Sequence, residues 1–483
     1  MYPALFSILM DFSPLFSRKA AHSCFIVVIL GFLLRFDFYG VSSTVRWLGL
    51  SPLAYDALIH FFHASSWQLD PLMEYWLNWC ITHFDVLKIN GRLICLGDGI
   101  KIPKEARRQP GVVPLHQSSN NSGKAEKFYG HHLGGAALVT GKGSKIFALP
   151  TLLEIHEGVT QLRRLQEGQN AMAEEPTVIT RMVTLIQMIA MKAGQPMYAV
   201  LDGLYSTGRA FTLARSSLMA TGSPWIHLIV KGKRNYIAYK NESLKKEEKL
   251  KIWNLFEKKE NFTFTHHPIT SKAISCYAIN LFWPPAAGWL RFVLCQQGRS
   301  RFMLMSTDLE IDPLTLIQIY SLRGKLEVTF NVLKNIIGGF YYRFWSTSSP
   351  KLEKQKIQKK DRSKEVASPL GQKQLEKLVN KVDAIERFIN LAAIVVGILQ
   401  YCSIMFTAEI WKLHDQSSWL RTYSSEVPSE EVVKRVIQAQ WFLSANNRQF
   451  SWVRKIIDSF SSTAAIPSKV SPHHTLATSM ING

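Results

Sequence analysis

The sequence predicts an α/β fold. Two short apolar runs, Arg92–Gly97 and Met197–Leu201, have the length and composition of buried strands. A third segment, Tyr320–Lys334, has the spacing of an amphipathic helix. At about 100° per residue, Tyr320, Arg323, Glu327 and Lys334 fall within an arc of about 60°. Leu322, Leu326 and Leu333 form an adjacent apolar stripe that can dock such a helix on a core.

Residues 1–90 read as helical and aromatic-rich, with a helix, a Gly-containing turn and a second helix between Ser42 and His60. Ser51 and Pro52 suit the cap and first turn of that second helix. The pair reads first as an ordinary helical hairpin, with a DNA-end-reading helix-turn-helix as the alternative. Residues 91–215 hold the two apolar runs. Residues 216–305 carry four strand-like stretches: Trp225–Val230, Phe262–Thr265, Ala273–Ile279 and Leu290–Cys295. The charged stretch Asn241–Asn261 between them reads as partly helical or as a solvated hairpin arm. Residues 306–345 return to the helix of Tyr320–Lys334, and residues 346–372 form a basic linker. Lys351–Lys364 alone holds seven Lys and Arg against Glu353 and Asp361. Residues 373–483 read as helical with a disordered Ser/Thr/Pro-rich tail. No internal repeat is present.

The chemistry concentrates in three carboxylates. Asp98 and Asp202 each close an apolar run and precede a glycine, so each is expected where a strand ends; each alone also fits an Asp-Gly turn. Glu327 lies between Arg323 and Lys334 on the helix, where a plain surface helix with an i, i+4 Arg–Glu pair would look the same. Three carboxylates on separate elements suit hard divalent cations, and Mg²⁺ takes one or two of them together with phosphate. Two such ions a few Å apart can activate water and stabilise a leaving oxygen.

The signature Tyr320-x2-Arg323-x3-Glu327-x6-Lys334, together with Asp98 and Asp202, resembles the DDE transposases of bacterial insertion sequences, in the branch named for that Tyr-Arg-Glu-Lys motif. Asp98-Gly-Ile-Lys-Ile-Pro-Lys104, Leu115-His116-Gln-Ser-Ser, Tyr129-Gly-His131-His132 and Met305-Ser-Thr-Asp308-Leu resemble the same branch. The likeness runs from about Leu93 to Trp345. It departs at Gly324, where a bulkier, often aromatic residue is usual. The resemblance implies an RNase H-like catalytic core with Asp98 on its first strand, Asp202 near the end of the fourth and Glu327 on a following helix. It implies a largely β insertion between Asp202 and Glu327, an interval too long for one crossover.

The same resemblance implies two Mg²⁺ ions, with Mn²⁺ as a substitute, held by Asp98, Asp202 and Glu327. It implies cleavage of double-stranded DNA at terminal inverted repeats and strand transfer into target DNA by at least a homodimer. Tyr320, Arg323 and Lys334 would contact the DNA backbone. Lys101 and Lys104, just beyond Asp98, and Lys231, Lys233 and Arg234, after a strand of the insertion, are further candidates for phosphate contact. His131 and His132 lie within conceivable reach of Asp98, although structural histidines fit as well. Trp225 could stack on a base or fill the core.

The net charge of +21 and pI near 9.6 match a nucleic-acid-binding protein. No Gly-x4-Gly-Lys-Ser/Thr loop calls for a nucleotide cofactor. Phe25–Leu34 is too short to cross a bilayer. Phe388–Phe406 is longer, but Asn390, Gln400 and Ser403 interrupt it, which points to a buried core helix. No membrane association is expected. The six cysteines lack zinc spacing and read as buried thiols in a reducing cytoplasm, and the resemblance implies a bacterial one, at the nucleoid. An RNase H-like nuclease without strand transfer and a catalytically inactive DNA-binding descendant are the alternatives. A membrane-associated protein is a weaker third.

Overall fold

The computed structural model describes residues 1–104, 108–116, 126–168, 176–347, 371–416, 426–443 and 451–461. The linker Pro350–Lys364 and the C-terminal tail lie outside them. The fold is mixed α/β. Among the described residues, 13 strands join one open sheet. Its centre is built from β1 (Arg92–Pro103), β2 (Lys127–Lys142), β3 (Lys145–Ile155), β4 (Met197–Val200) and β5 (Ile226–Lys231). Their spatial order is β3-β2-β1-β4-β5. The first three pair antiparallel, whereas β4 runs parallel to β1 and β5 parallel to β4.

The sheet continues without a break through β6 (Ala273–Trp283), β7 (Gly288–Gln297) and β8 (Ser300–Ser306), with β8 antiparallel to β5. The expected insertion is therefore β-rich, but its boundary moves. Ile226–Lys231, expected within residues 216–305, is a strand of the central sheet. The remaining strands extend that sheet rather than forming a separate one.

Helices cover both faces. Gly97 of β1 lies against Met182 and Ile186 of α3 (Val178–Ala193), after α1 (Lys19–Leu34) and α2 (Leu69–His83) of the N-terminal region. Gly135 of β2, level with Asp98, lies against Phe330 on the opposite face. Phe330 belongs to α5 (Gly324–Asn331), which follows α4 (Pro313–Ser321).

The expected single helix over Tyr320–Lys334 is interrupted. Leu322 and Arg323 keep αR dihedrals, but the bonds Leu322 N–Ile319 O and Arg323 N–Tyr320 O are of the tighter i−3 type. Gly324 lowers helix propensity at that point. Further on, Val332–Ile337 is π-helical, so Lys334 lies within a second irregularity. The N-terminal pair expected between Ser42 and His60 is present as helices Val41–Trp47 and Leu53–His63.

The long helix α6 (Gln372–Met405) explains the apolar stretch near the C-terminus. It is long and apolar enough to cross a membrane, yet 83% of its most apolar window is buried within the protein. Its polar residues face partners. Asn390 accepts from Leu153 N at 2.9 Å and donates to Leu153 O at 2.7 Å; Glu386 accepts from Ile155 N at 2.8 Å. Gln400 donates to Ala148 O at 3.2 Å. These side chains stand in for a missing neighbour strand along the outer edge of β3. α1 is buried almost throughout, and all six cysteines are free and buried.

Replacing Asn390 by Leu leaves a buried N–H and a buried C=O of β3 without partners. A loss of about 1–3 kcal/mol of stability is expected in urea denaturation. An unchanged midpoint would show that the edge of β3 is satisfied in another way.

Candidate functional site

The register of two strands sets the site. β1 and β4 pair in parallel as Leu93–Met197 through Leu96–Val200. The same offset carried two residues further sets Asp98 level with Asp202. Adjacent strands lie about 4.8 Å apart. Asp98 is within β1, which runs on to Pro103, so the expected strand end occurs only at Asp202. There the carboxylate caps a short 3₁₀ turn, accepting from Leu204 N at 2.6 Å.

Glu327 reaches the pair through Arg323. The Arg323 guanidinium meets Asp98 Oδ2 at 2.8 Å and Glu327 Oε1 at 2.5 Å. Gly99 N donates to Asp98 Oδ1 at 2.8 Å. Asp98 is largely enclosed, whereas Glu327 is 58% exposed. Burial raises the Asp98 pKa, Arg323 and the Gly99 N–H oppose that, and the charges of Asp202 and Glu327 add to it. α5 can come this close because Gly135 has no side chain: a Cβ there would stand 2.8 Å from Phe330 Cε1.

Tyr320, at the end of α4, lies in the same electrostatic field; burial first, then the neighbouring carboxylates, push its phenol up to about 12. Tyr205, three residues beyond Asp202, is buried and feels both aspartates. Sequence reasoning missed it, although its place in the Asp202 turn was the available signal. A cleft of about 520 Å³ opens beside Arg323, lined also by Tyr320, Ser321, Lys231 and His267. His267 belongs to the turn after strand Thr263–His266 of the insertion, and its Nε2 is 3.0 Å from Ser321 Oγ.

The basic candidates divide. Lys231, Lys233, Arg234 and Lys334 are exposed. Lys231 lies beside Gly203 of the Asp202 turn, and Arg234 stacks over Trp253 at 4.9 Å. Lys101 donates to His116 O at 2.7 Å near the surface.

Lys104 turns inward. It donates to Phe340 O at 2.7 Å and sits 3.5 Å over the Tyr342 ring, and burial followed by the charge of Arg343 pushes its pKa down to about 7. His131 is fully buried. Its Nε2–H donates to Pro110 O at 2.8 Å and its Nδ1 accepts from the Tyr342 hydroxyl at 2.6 Å. His132 binds Glu157 at 2.6 Å on the face of the sheet away from Asp98. Trp225 is partly buried against the core.

The donor set suits a hard divalent cation, since it consists of carboxylate oxygens. Among the described residues, no group of three or more His, Cys, Asp or Glu side chains is close enough together to hold a metal ion. Asp98 and Glu327 converge on the guanidinium of Arg323 instead. No protein-family model matches the chain, and no curated protein matches it.

Two outcomes follow from these environments. Removing the Arg323 charge in Arg323→Gln removes the main group that opposes burial at Asp98. The Asp98 carboxyl should then titrate higher than in the wild type, measured by carboxyl-¹³C NMR.

The second concerns His131, which burial, then Lys104, pushes down to about 3. The unfolded chain takes up this proton near pH 6.5 and the folded chain does not. Stability present above about pH 6.5 is therefore lost as pH falls toward 3. Thermal melts of His131→Gln should show a shallower decline across that window than the wild type.

Proposed function

We propose that the chain is a DDE transposase of the bacterial insertion-sequence type, with an RNase H-like core. The observation that carries this reading is the parallel register of β1 and β4, whose offset continued past Val200 sets Asp202 level with Asp98, with Glu327 joined to Asp98 through Arg323. The strand order β3-β2-β1-β4-β5, antiparallel over the first three and parallel over the last two, supports it. So does the β-rich stretch between Asp202 and Glu327. The net charge of +21 supports DNA as the partner.

In this reading Asp98, Asp202 and Glu327 would hold two Mg²⁺ ions, or Mn²⁺, once Arg323 releases Asp98 and Glu327. When bound, the ions supply Lewis acidity that lowers the pKa of an attacking water and offsets charge on a leaving 3′-oxygen. Every other task falls to the protein. Arg323 and Tyr320 border the cleft in which a phosphodiester of the terminal repeat would lie, and Lys231 lines it as well. Arg323 neutralises the carboxylates in the absence of substrate and is placed to turn to phosphate when DNA arrives. Gly99 N–H and the Leu204 N–H fix the orientation of the two aspartates. The freed 3′-hydroxyl then serves as nucleophile on target DNA, within a homodimer that bridges two ends in the bacterial cytoplasm.

The test is a cleavage and strand-transfer assay on the DNA ends that flank the native gene, with Mg²⁺ or EDTA. Metal-dependent nicking at the end followed by joining is expected. Glu327→Gln should lower the rate about a hundredfold or more, the scale seen when one charge-stabilising group is removed. Cutting without joining would make the chain a nuclease. Binding without cutting in either protein would make it an inactive DNA-binding descendant.

A further inference from the structure

The segment that leaves the π-helical turn alternates. Tyr342 and Phe344 are buried, whereas Tyr341, Arg343 and Trp345 are exposed, the last at 71%. This is the period of an extended chain, yet the segment belongs to none of the described strands. Its inner side chains are pinned. The Tyr342 hydroxyl meets His131, Lys104 sits over its ring, and Phe344 packs 5.3 Å from Phe62 and 6.0 Å from Phe388. Its outer side chains gain a neighbour from the N-terminal region. The Arg343 guanidinium lies 5.3 Å over the ring of Tyr39, itself 52% exposed, and Tyr341 lies 5.3 Å from Phe38.

A rigid backbone thus presents aromatic, cation, aromatic in a row to solvent, on a protein of net charge +21. The basic stretch Lys351–Lys364 follows a few residues later in sequence. Flat π faces interleaved with a guanidinium fit unpaired bases and the phosphates between them. A duplex hides its base faces and would use only the charge.

We infer that Tyr341, Arg343 and Trp345, with Tyr39 beside them, bind a single-stranded stretch of DNA. Bases stack on the rings and phosphate meets Arg343. This rests on the proposal that the protein acts on DNA, and adds that the DNA is unpaired at a definite distance from the carboxylates. Lys104, six residues beyond Asp98, is bonded through its side chain to Phe340 O, so the strip starts within roughly 30 Å of Asp98. None of these four residues has a part in the proposed chemistry.

The test uses the complete chain and fluorescence anisotropy with two probes: a blunt duplex of the flanking end sequence, and the same duplex with a single-stranded fork. The wild type should prefer the fork. Tyr341→Ala combined with Trp345→Ala should weaken fork binding about tenfold or more and leave blunt binding unchanged. Trp345→Phe, which keeps an aromatic face, should retain the preference.

Equal loss on both probes, or no loss, overturns the inference. So does a fall in oligomeric mass by light scattering with fork binding intact, which would make the strip an interface between copies. A wild type that binds blunt DNA without preferring the fork overturns this inference alone. A wild type with no affinity for either probe overturns the DNA reading beneath it as well.

Discussion

Parallel pairing of β1 with β4 brings Asp98 and Asp202 side by side, at roughly the spacing of two strands. Two carboxylates at that distance, one of them mostly buried, resist joint ionisation unless a cation lies among them. Arg323 supplies that charge, and much of the local architecture serves to put it there. The chain tightens at Leu322 and Arg323 instead of continuing as a regular helix, and α5 closes onto β2 over the bare backbone of Gly135. Glu327, one turn further on, then reaches the same guanidinium. The constraint is electrostatic at its origin and steric in its execution.

The signature segment is held at its far end by the flanking regions. Arg35, fully buried, donates to Gly40 O, Ile337 O and Gly338 O at 3.0, 2.7 and 3.0 Å, and Lys434 donates to Ile336 O at 2.6 Å. These cations satisfy the carbonyls that a helical C-terminus leaves without partners and complement its dipole. α6 plays a similar part for β3, supplying side-chain donors and acceptors where no strand follows. The N- and C-terminal regions are thus part of one hydrophobic core with the sheet. Residues hundreds of positions from Glu327 help to fix its helix.

Much of this arrangement was legible. Apolar runs located β1, β4 and several strands of the insertion, because buried strands leave a plain compositional trace. The polar residues of Phe388–Phe406 marked that helix as one with buried partners. The misses have physical causes. Gly97-Asp98-Gly99 looks like a turn, but its glycines are there for contact: a Cβ on Gly97 would meet Met182 and Ile186, and one on Gly99 would meet His132. Ile226–Lys231 was grouped with the insertion because parallel pairing between distant strands leaves no mark in local sequence. The break after Ser321 escaped the periodicity because αR dihedrals persist through it, and only the hydrogen bonds shorten their span. Lys104 looked like a surface cation because its partner, Phe340, is remote in sequence.

The insertion also bears on the site through His267, whose protonation state follows from its bonds. His267 Nδ1 accepts from Ile269 N at 3.2 Å and Thr270 N at 3.3 Å, so the proton of the neutral ring must be on Nε2. Nε2–H therefore donates to Ser321 Oγ, whose own proton goes to Ile317 O at 2.7 Å. The turn of the insertion and the last turn of α4 are thereby joined by a directional relay through Ser321, two residues before Arg323. Because β6, β7 and β8 continue the central sheet, that turn is anchored to the same rigid body as Asp98 and Asp202. The guanidinium that bridges the carboxylates is accordingly positioned from two sides: by the sheet beneath it through Phe330 and Gly135, and by the insertion through His267 and Ser321.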